Sequence, residues 1–63
     1  MFFEIKPNYE TGKPRVSESG GHNGFFCVIL ADGNPFARIY GKTAEETLET
    51  STRVVELLNK YQL

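Results

Sequence analysis

Few side chains in this sequence could do covalent chemistry, and the two reactive types are one histidine and one cysteine. A Cys–His nucleophile pair needs hydrogen-bond contact between the two groups. His22 and Cys27 are separated by five residues of chain that we expect to be extended, which is about 15 Å. We therefore predict that Cys27 is a buried, inert thiol and that His22 is not its catalytic base.

The acidic residues form no pattern typical of catalysis or metal binding. Glu45, Glu46 and Glu49 follow Thr43, where the positive end of a helix dipole would favour carboxylates. Asp32 is explained by a turn, and no Ser–His–Asp set or metal-ligand spacing is visible. We therefore predict a protein that is not an enzyme and that holds no cofactor and no metal ion.

A second group of residues suits the binding of an anion that carries a flat ring. The run Gly20–Gly24 offers backbone amides to an anion, although it matches no phosphate-binding motif and a flexible hairpin loop is the alternative. Lys13 and Arg15 lie nearby. The stretch Phe36–Tyr40 alternates aromatic rings with an arginine, so we expect these three side chains to share one strand face. The predicted ligand-binding residues are Lys13, Arg15, His22, Phe36, Arg38 and Tyr40.

A β-hairpin is predicted to carry the aromatic and arginine side chains. The run Gly24–Ala31 is rich in β-branched and aromatic residues, which is typical of a strand. The cluster Asp32–Pro35 then predicts a turn, and Phe36–Tyr40 the returning strand. Phe2–Lys6 is predicted as a further strand, and the glycine-rich segment after it as loop with a short strand at Arg15–Ser17.

A helix is predicted to follow the hairpin. Thr43 is a good N-cap and Glu46 stands three residues later, which completes a capping box. Neither glycine nor proline interrupts Ala44–Tyr61. The order of elements predicts an α+β fold, in which a small antiparallel β-sheet of three to four strands packs against one C-terminal α-helix. Sixty-three residues leave room for a single domain, spanning 1–63.

The predicted helix is apolar over nearly half of its circumference. One stripe runs through Leu48 and Val55, and a second stripe contains Val54, Leu57 and Tyr61. Either one wide face packs on a curved sheet, or the second stripe meets another chain. The strand Gly24–Ala31 is apolar on both faces, and one helix covers only one of them. We therefore predict a homo-oligomer with Val54, Leu57 and Tyr61 at its interface.

The charge balance restricts the partners. Seven Lys and Arg residues against eight Asp and Glu residues give a net charge of -1, which argues against long nucleic acid as a ligand. No apolar run approaches the ~18 residues that span a bilayer. Met1–Lys6 lacks the basic start and apolar core of a secretion signal. We expect no membrane partner and a reducing, cytoplasmic compartment.

Half of the chain resembles a module of small uncharacterised bacteriophage and prophage proteins. The matching residues are Ala31–Glu46, read as ADGNPFARIYGKTAEE, and Thr52–Val55. Such proteins typically show an Asp-Gly hairpin turn and Gly-x-Thr-x-Glu-Glu before a helix. Glu56–Lys60 departs from that pattern, and residues 1–24 match nothing in it. The resemblance implies a phage accessory protein in the host bacterial cytoplasm, and it carries over no functional residue.

These observations predict a non-enzymatic phage counter-defence protein that acts by stoichiometric binding. In this hypothesis a homo-oligomer sequesters a small anionic nucleotide that host immunity uses as a signal. One alternative is an anti-CRISPR-like inhibitor that binds a host defence protein, and another is a virion or assembly component. Pockets between subunits favour the first hypothesis, whereas a monomer with one bare hydrophobic face favours the inhibitor.

Overall fold

The fold combines one antiparallel sheet with one helix. The computed structural model describes residues 1–18 and 24–62. The predicted α+β class is confirmed, because a four-stranded antiparallel sheet packs against the C-terminal helix. No helix in the described residues is both long and apolar enough to cross a membrane. The elements, in chain order, are β1 (Phe3–Ile5), β2 (Ser17–Glu18), β3 (Phe25–Ala31), β4 (Asn34–Gly41) and α1 (Ala44–Tyr61).

β3 is the central strand of the sheet. β4 pairs with it from Phe25↔Gly41 to Ala31↔Asn34, along the whole of one edge. β1 pairs with the C-terminal part of β3 through Phe3↔Ala31, and β2 pairs with its N-terminal end through Ser17↔Phe26. Because β4 occupies one edge completely, β1 and β2 share the other edge.

The turn between β3 and β4 explains the tight hairpin. Asp32 and Gly33 both have positive φ angles, 50° and 84°, as a two-residue type I′ turn requires. Asp32 also joins the turn to the start of the chain. Its N–H donates to the Phe2 carbonyl at 2.8 Å, and its Oδ1 accepts from the Phe2 N–H at 2.7 Å.

The helix begins and ends where the sequence predicts. The Thr43 hydroxyl accepts a hydrogen bond from the Glu46 N–H at 3.0 Å, which confirms the N-cap. The buried face is centred on Thr47 and Ser51, which lie between the two predicted apolar stripes. Each of these two hydroxyls donates to the backbone carbonyl four residues earlier at 2.7 Å. Both side chains are therefore buried with their hydroxyl groups hydrogen-bonded.

The hydrophobic core lies between α1 and the sheet. Phe3, Cys27 and Ile29 are its buried apolar residues among those described, so the predicted burial of Cys27 is confirmed. Small residues let the helix approach closely. A Cβ atom on Gly41 would overlap Thr47 Oγ1 and lie 3.1 Å from the Thr47 Cα. Gly41 therefore sets the distance between β4 and the first turns of α1.

The far end of α1 is tied to β1 by one amide side chain. Asn59 Oδ1 accepts from the Phe3 N–H at 2.9 Å, and Asn59 Nδ2 donates to the Phe3 carbonyl at 2.8 Å. These Phe3 groups point away from β3, since they bond to Asn59 instead. Asn59 therefore covers the outer edge of β1.

Candidate functional site

The sheet face opposite α1, here called the open face, carries the candidate site. Strand alternation places Phe26, Val28 and Leu30 on this face, because Cys27 and Ile29 lie buried under the helix. The register then adds Arg38 opposite Val28 and Tyr40 opposite Phe26. The open face is thus partly apolar and partly cationic.

A groove on the open face collects three cations. We call it the basic groove, and it has a volume of about 180 Å³. Three separate segments supply the positive charges, and β3 supplies the apolar floor. The lining residues are Lys6, Arg15, Ser17, Phe26, Val28 and Arg38.

Backbone pairing holds the cations at the groove. The Lys6 N–H donates to the Val28 carbonyl at 2.8 Å, which continues the β1–β3 ladder by one residue. The Arg15 N–H donates in turn to the Lys6 carbonyl at 2.9 Å. The Arg15 side chain is oriented by a hydrogen bond from its Nε to Ser17 Oγ at 3.3 Å. Lys6 and Arg15, nine residues apart in the sequence, are therefore held next to each other at the groove.

An aromatic pair borders the third cation. The Arg38 guanidinium carbon lies 5.1 Å from the centre of the Phe26 ring, within the range of a cation–π contact. The ring centres of Phe26 and Tyr40 are 5.9 Å apart, with their planes tilted by 38°. Tyr40 is exposed, so its ring is accessible to a planar ligand. Charge and aromatic surface thus meet on the open face.

The groove cations carry no ion pair within residues 1–18 and 24–62. The pair found in that part of the chain joins Arg53 to Glu49 on the helix surface, at 3.5 Å. Glu4 shares the open face, opposite Leu30, without pairing to Lys6. Three unpaired cations around one concave surface give a local positive field although the chain is weakly acidic overall.

The size of the groove limits the ligand. An adjoining groove of about 320 Å³ shares Lys6, Val28 and Arg38 with the basic groove and extends to Pro35. Small-molecule sites usually occupy about 300–1,000 Å³, which the basic groove alone does not reach. The adjoining groove lies at the lower end of this range, and it is continuous with the basic groove through their three shared residues.

Of the predicted binding residues, Arg15, Arg38 and Tyr40 come together on the open face. Phe36 lines the adjoining groove beside Lys6 and Arg38, but its ring packs against the buried Phe3, so it does not share one strand face with Arg38 and Tyr40 as expected. The register shifts after Ile29, so β4 has one extra residue at this point. Phe36 consequently turns toward the helix side, where its ring packs edge-on against Phe3 with centres 5.1 Å apart.

Lys13 and His22, the two remaining predicted residues, are not among the residues that line the groove in the described part of the chain. Lys13 lies in the turn after β1, where its carbonyl accepts from the Asn8 N–H at 2.7 Å, and it does not line the basic groove. The role of Lys13 in binding a ligand beside Arg15 stays a prediction. His22 and Gly20–Asn23 lie outside the described residues.

Four residues that line the groove were not among the predicted binding residues: Lys6, Ser17, Phe26 and Val28. Lys6 is the last residue of the predicted first strand, and the ladder continues through it to Val28. Phe26 reads as a core residue in an apolar run. The sequence carries no signal for this contact, because a regular two-residue turn would pair Phe26 with Ile39, and only the extra residue in β4 makes Tyr40 its partner.

The predicted interface residues lie at one side of α1. Val54 is half-buried, whereas Leu57 and Tyr61 are exposed. Leu57, Leu58 and Tyr61 line a surface hollow together with Phe3. The helix therefore presents apolar surface beside the sheet, on the side opposite the basic groove.

Neither a metal site nor a similar protein indicates a function for this chain. In the part of the chain that the structure describes, no three His, Cys, Asp or Glu side chains come together as a metal site. Comparison of the chain with protein-family models, with curated proteins and with solved structures finds no match. The functional interpretation therefore depends on the geometry of the open face.

Proposed function

We propose that the protein binds a small anionic nucleotide on the open face of the sheet and holds it stoichiometrically, without transforming it. The observation that supports this proposal is the basic groove itself, where Lys6, Arg15 and Arg38 surround an apolar floor and have no carboxylate partner among residues 1–18 and 24–62. Phosphate oxygens would accept hydrogen bonds from the guanidinium groups, which bind such anions in bidentate geometry. The base would stack on Tyr40 or Phe26.

The ligand class follows from the charge and dimensions of the groove. Three cations suit one or two phosphates, whereas long nucleic acid needs a cationic track that a chain of net charge -1 lacks. The resemblance to phage proteins suggests a biological role for such binding. In that reading the ligand is a nucleotide signal of bacterial immunity, and the protein sequesters it in the host cytoplasm as a counter-defence accessory.

Calorimetry against cyclic di- and trinucleotides and cyclic ADP-ribose isomers tests the proposal. Arg15→Ala should weaken binding by about 10- to 150-fold, because a hydrogen bond to a charged group contributes about 1.5–3 kcal/mol. Arg53→Ala is the matched control, since it removes the same charge from an exposed helical ion pair. Arg38→Ala should behave like Arg15→Ala.

Three results would overturn the proposal. One is the absence of binding tighter than about 10 µM across the whole panel. A second is equal weakening by Arg15→Ala and Arg53→Ala, which would indicate unspecific charge attraction. A third is tighter binding of an oligonucleotide than of any cyclic nucleotide. If no nucleotide binds and a bacterial defence protein co-purifies instead, the anti-CRISPR-like alternative replaces it.

A further inference from the structure

Three residues of the open face form a row that belongs to both of its grooves. The basic groove and the adjoining groove share Lys6, Val28 and Arg38. These residues lie side by side across the sheet, because Val28 pairs with Arg38 of β4 and its carbonyl accepts from the Lys6 N–H. We call them the central row.

The two grooves lie on opposite sides of the central row. Phe26, which lines the basic groove and not the adjoining one, is two residues before Val28 in β3. Pro35, which lines the adjoining groove and not the basic one, pairs with Leu30, two residues after Val28. Since two strand residues span about 7 Å, the grooves reach about 7 Å from the central row in opposite directions along the strands.

The two sides of the central row differ in charge. On the first side, Arg15 lines the basic groove and adds a third cation to the two in the row. On the second side, Glu4 shares the open face, because it pairs with Leu30. A phosphate group is therefore favoured at the row and toward Arg15, and an uncharged group is favoured on the second side. The residues that line only the adjoining groove are all apolar: Pro35, Phe36 and Ala37.

A single nucleotide would use one side of this arrangement. With its phosphate at the central row, its base either stacks on Tyr40 or lies in the adjoining groove. The first placement leaves the apolar surface at Pro35 uncovered, and the second leaves the exposed Tyr40 ring uncovered. A phosphate that carries one nucleoside on each side covers both surfaces.

We propose that the ligand is a dinucleotide, in which a phosphate bridge joins two nucleosides and lies on the central row. This inference rests on the proposed function and names its ligand class. Adjacent strands are about 4.8 Å apart, which places the Lys6 and Arg38 Cα atoms about 10 Å apart, so both long side chains reach one phosphate from opposite sides. One base stacks on Tyr40, and the second nucleoside lies against Pro35. The reach of about 7 Å on each side is close to the separation between the phosphate and the base of one nucleotide.

Calorimetry with two kinds of ligand that carry equal charge tests this ligand class. The dinucleoside monophosphates of adenosine and of guanosine carry two nucleosides on one phosphodiester. Adenosine methyl phosphate and guanosine methyl phosphate have the same single negative charge and lack the second nucleoside. We expect at least one dinucleotide to bind about tenfold more tightly than its methyl ester, because its second nucleoside is linked to a phosphate that is already bound.

Substitutions on β4 separate the two grooves. Pro35→Ala removes apolar surface from the adjoining groove, so it should weaken the dinucleotide about three- to tenfold and leave the methyl ester within about twofold. Arg38→Ala should weaken both ligands by similar factors, because both place a phosphodiester on the central row. Asn34→Ala is the matched control, since Asn34 is next to Pro35 and lines neither groove.

Three results would overturn the inference and leave the proposed function standing. One is a methyl ester that binds the unsubstituted protein as tightly as its dinucleotide. Another is equal weakening of both ligands by Pro35→Ala, or weakening of the dinucleotide by Asn34→Ala to the same extent. The third is binding of another nucleotide when no dinucleotide binds, linear or cyclic. If no nucleotide of any kind binds, the proposed function fails and the inference fails with it.

Discussion

Asn59 offers the sharpest test of how the fold is held together. Replacing it with alanine removes the two hydrogen bonds to Phe3, at 2.9 and 2.8 Å, that join the end of α1 to β1. A hydrogen bond contributes about 0.5–1.5 kcal/mol net, so the pair contributes about 2 kcal/mol. A chain of 63 residues has a free energy of unfolding of roughly 3–9 kcal/mol in total. Asn59→Ala should therefore remove about a third of it.

Asn59→Asp separates the donor from the acceptor. At neutral pH its carboxylate can accept from the Phe3 N–H but faces the Phe3 carbonyl oxygen without a proton to donate. Folding would therefore raise the pKa of the introduced carboxyl. Because the folded state then binds the proton more tightly than the unfolded state, the stability lost by this variant returns as the pH falls. The protonated acid restores both hydrogen bonds.

Urea unfolding followed by circular dichroism measures these differences, at one protein concentration so that association contributes equally. Each free energy of unfolding is compared with that of the parent protein at the same pH. Thr52→Asp is the control, since it adds a charge to an exposed position of α1. Two results would refute the reasoning: a loss below about 0.5 kcal/mol for Asn59→Ala, or an equal loss for Asn59→Asp at pH 3 and pH 7.

Two further changes test the packing between α1 and the sheet. Gly41→Ala should cost about 1–2 kcal/mol, because the added Cβ overlaps the Thr47 hydroxyl and the gain from a stiffer unfolded chain is smaller; an unchanged melting temperature would contradict this. Ile29→Ala should cost about 2–5 kcal/mol, since Ile29 is fully buried. Leu48→Ala and Val55→Ala should each cost less, because both are only half-buried; in urea unfolding, equal losses for all three would show that the core centre is misplaced.

Local sequence signals were sufficient for the elements of the C-terminal half. The capping box at Thr43 and the uninterrupted run after it define α1, because capping and helix propensity act within one or two turns. The Asp-Gly turn defines the hairpin for the same reason, since two positive φ angles in succession suit few residue pairs. The fold class followed from the order of these elements.

The candidate site was only partly predictable. Arg38 and Tyr40 are two residues apart on one strand, so alternation alone places them on one face. Phe36 breaks the same rule because one extra residue in β4 reverses its side, and a bulge leaves no clear mark in a single sequence. Lys6 and Arg15 meet only through a backbone hydrogen bond that closes a turn of several residues.

The sequence by itself determined the hairpin, the helix and their order, since each depends on interactions among residues a few positions apart. Tertiary structure alone decided which face of α1 is buried, because the missing side chain of Gly41 leaves the space that Thr47 occupies. It also decided which edge of the sheet stays open, because Asn59 reaches a strand 56 residues away. Such contacts depend on the simultaneous placement of distant segments, and periodicity within one segment carries no information about them.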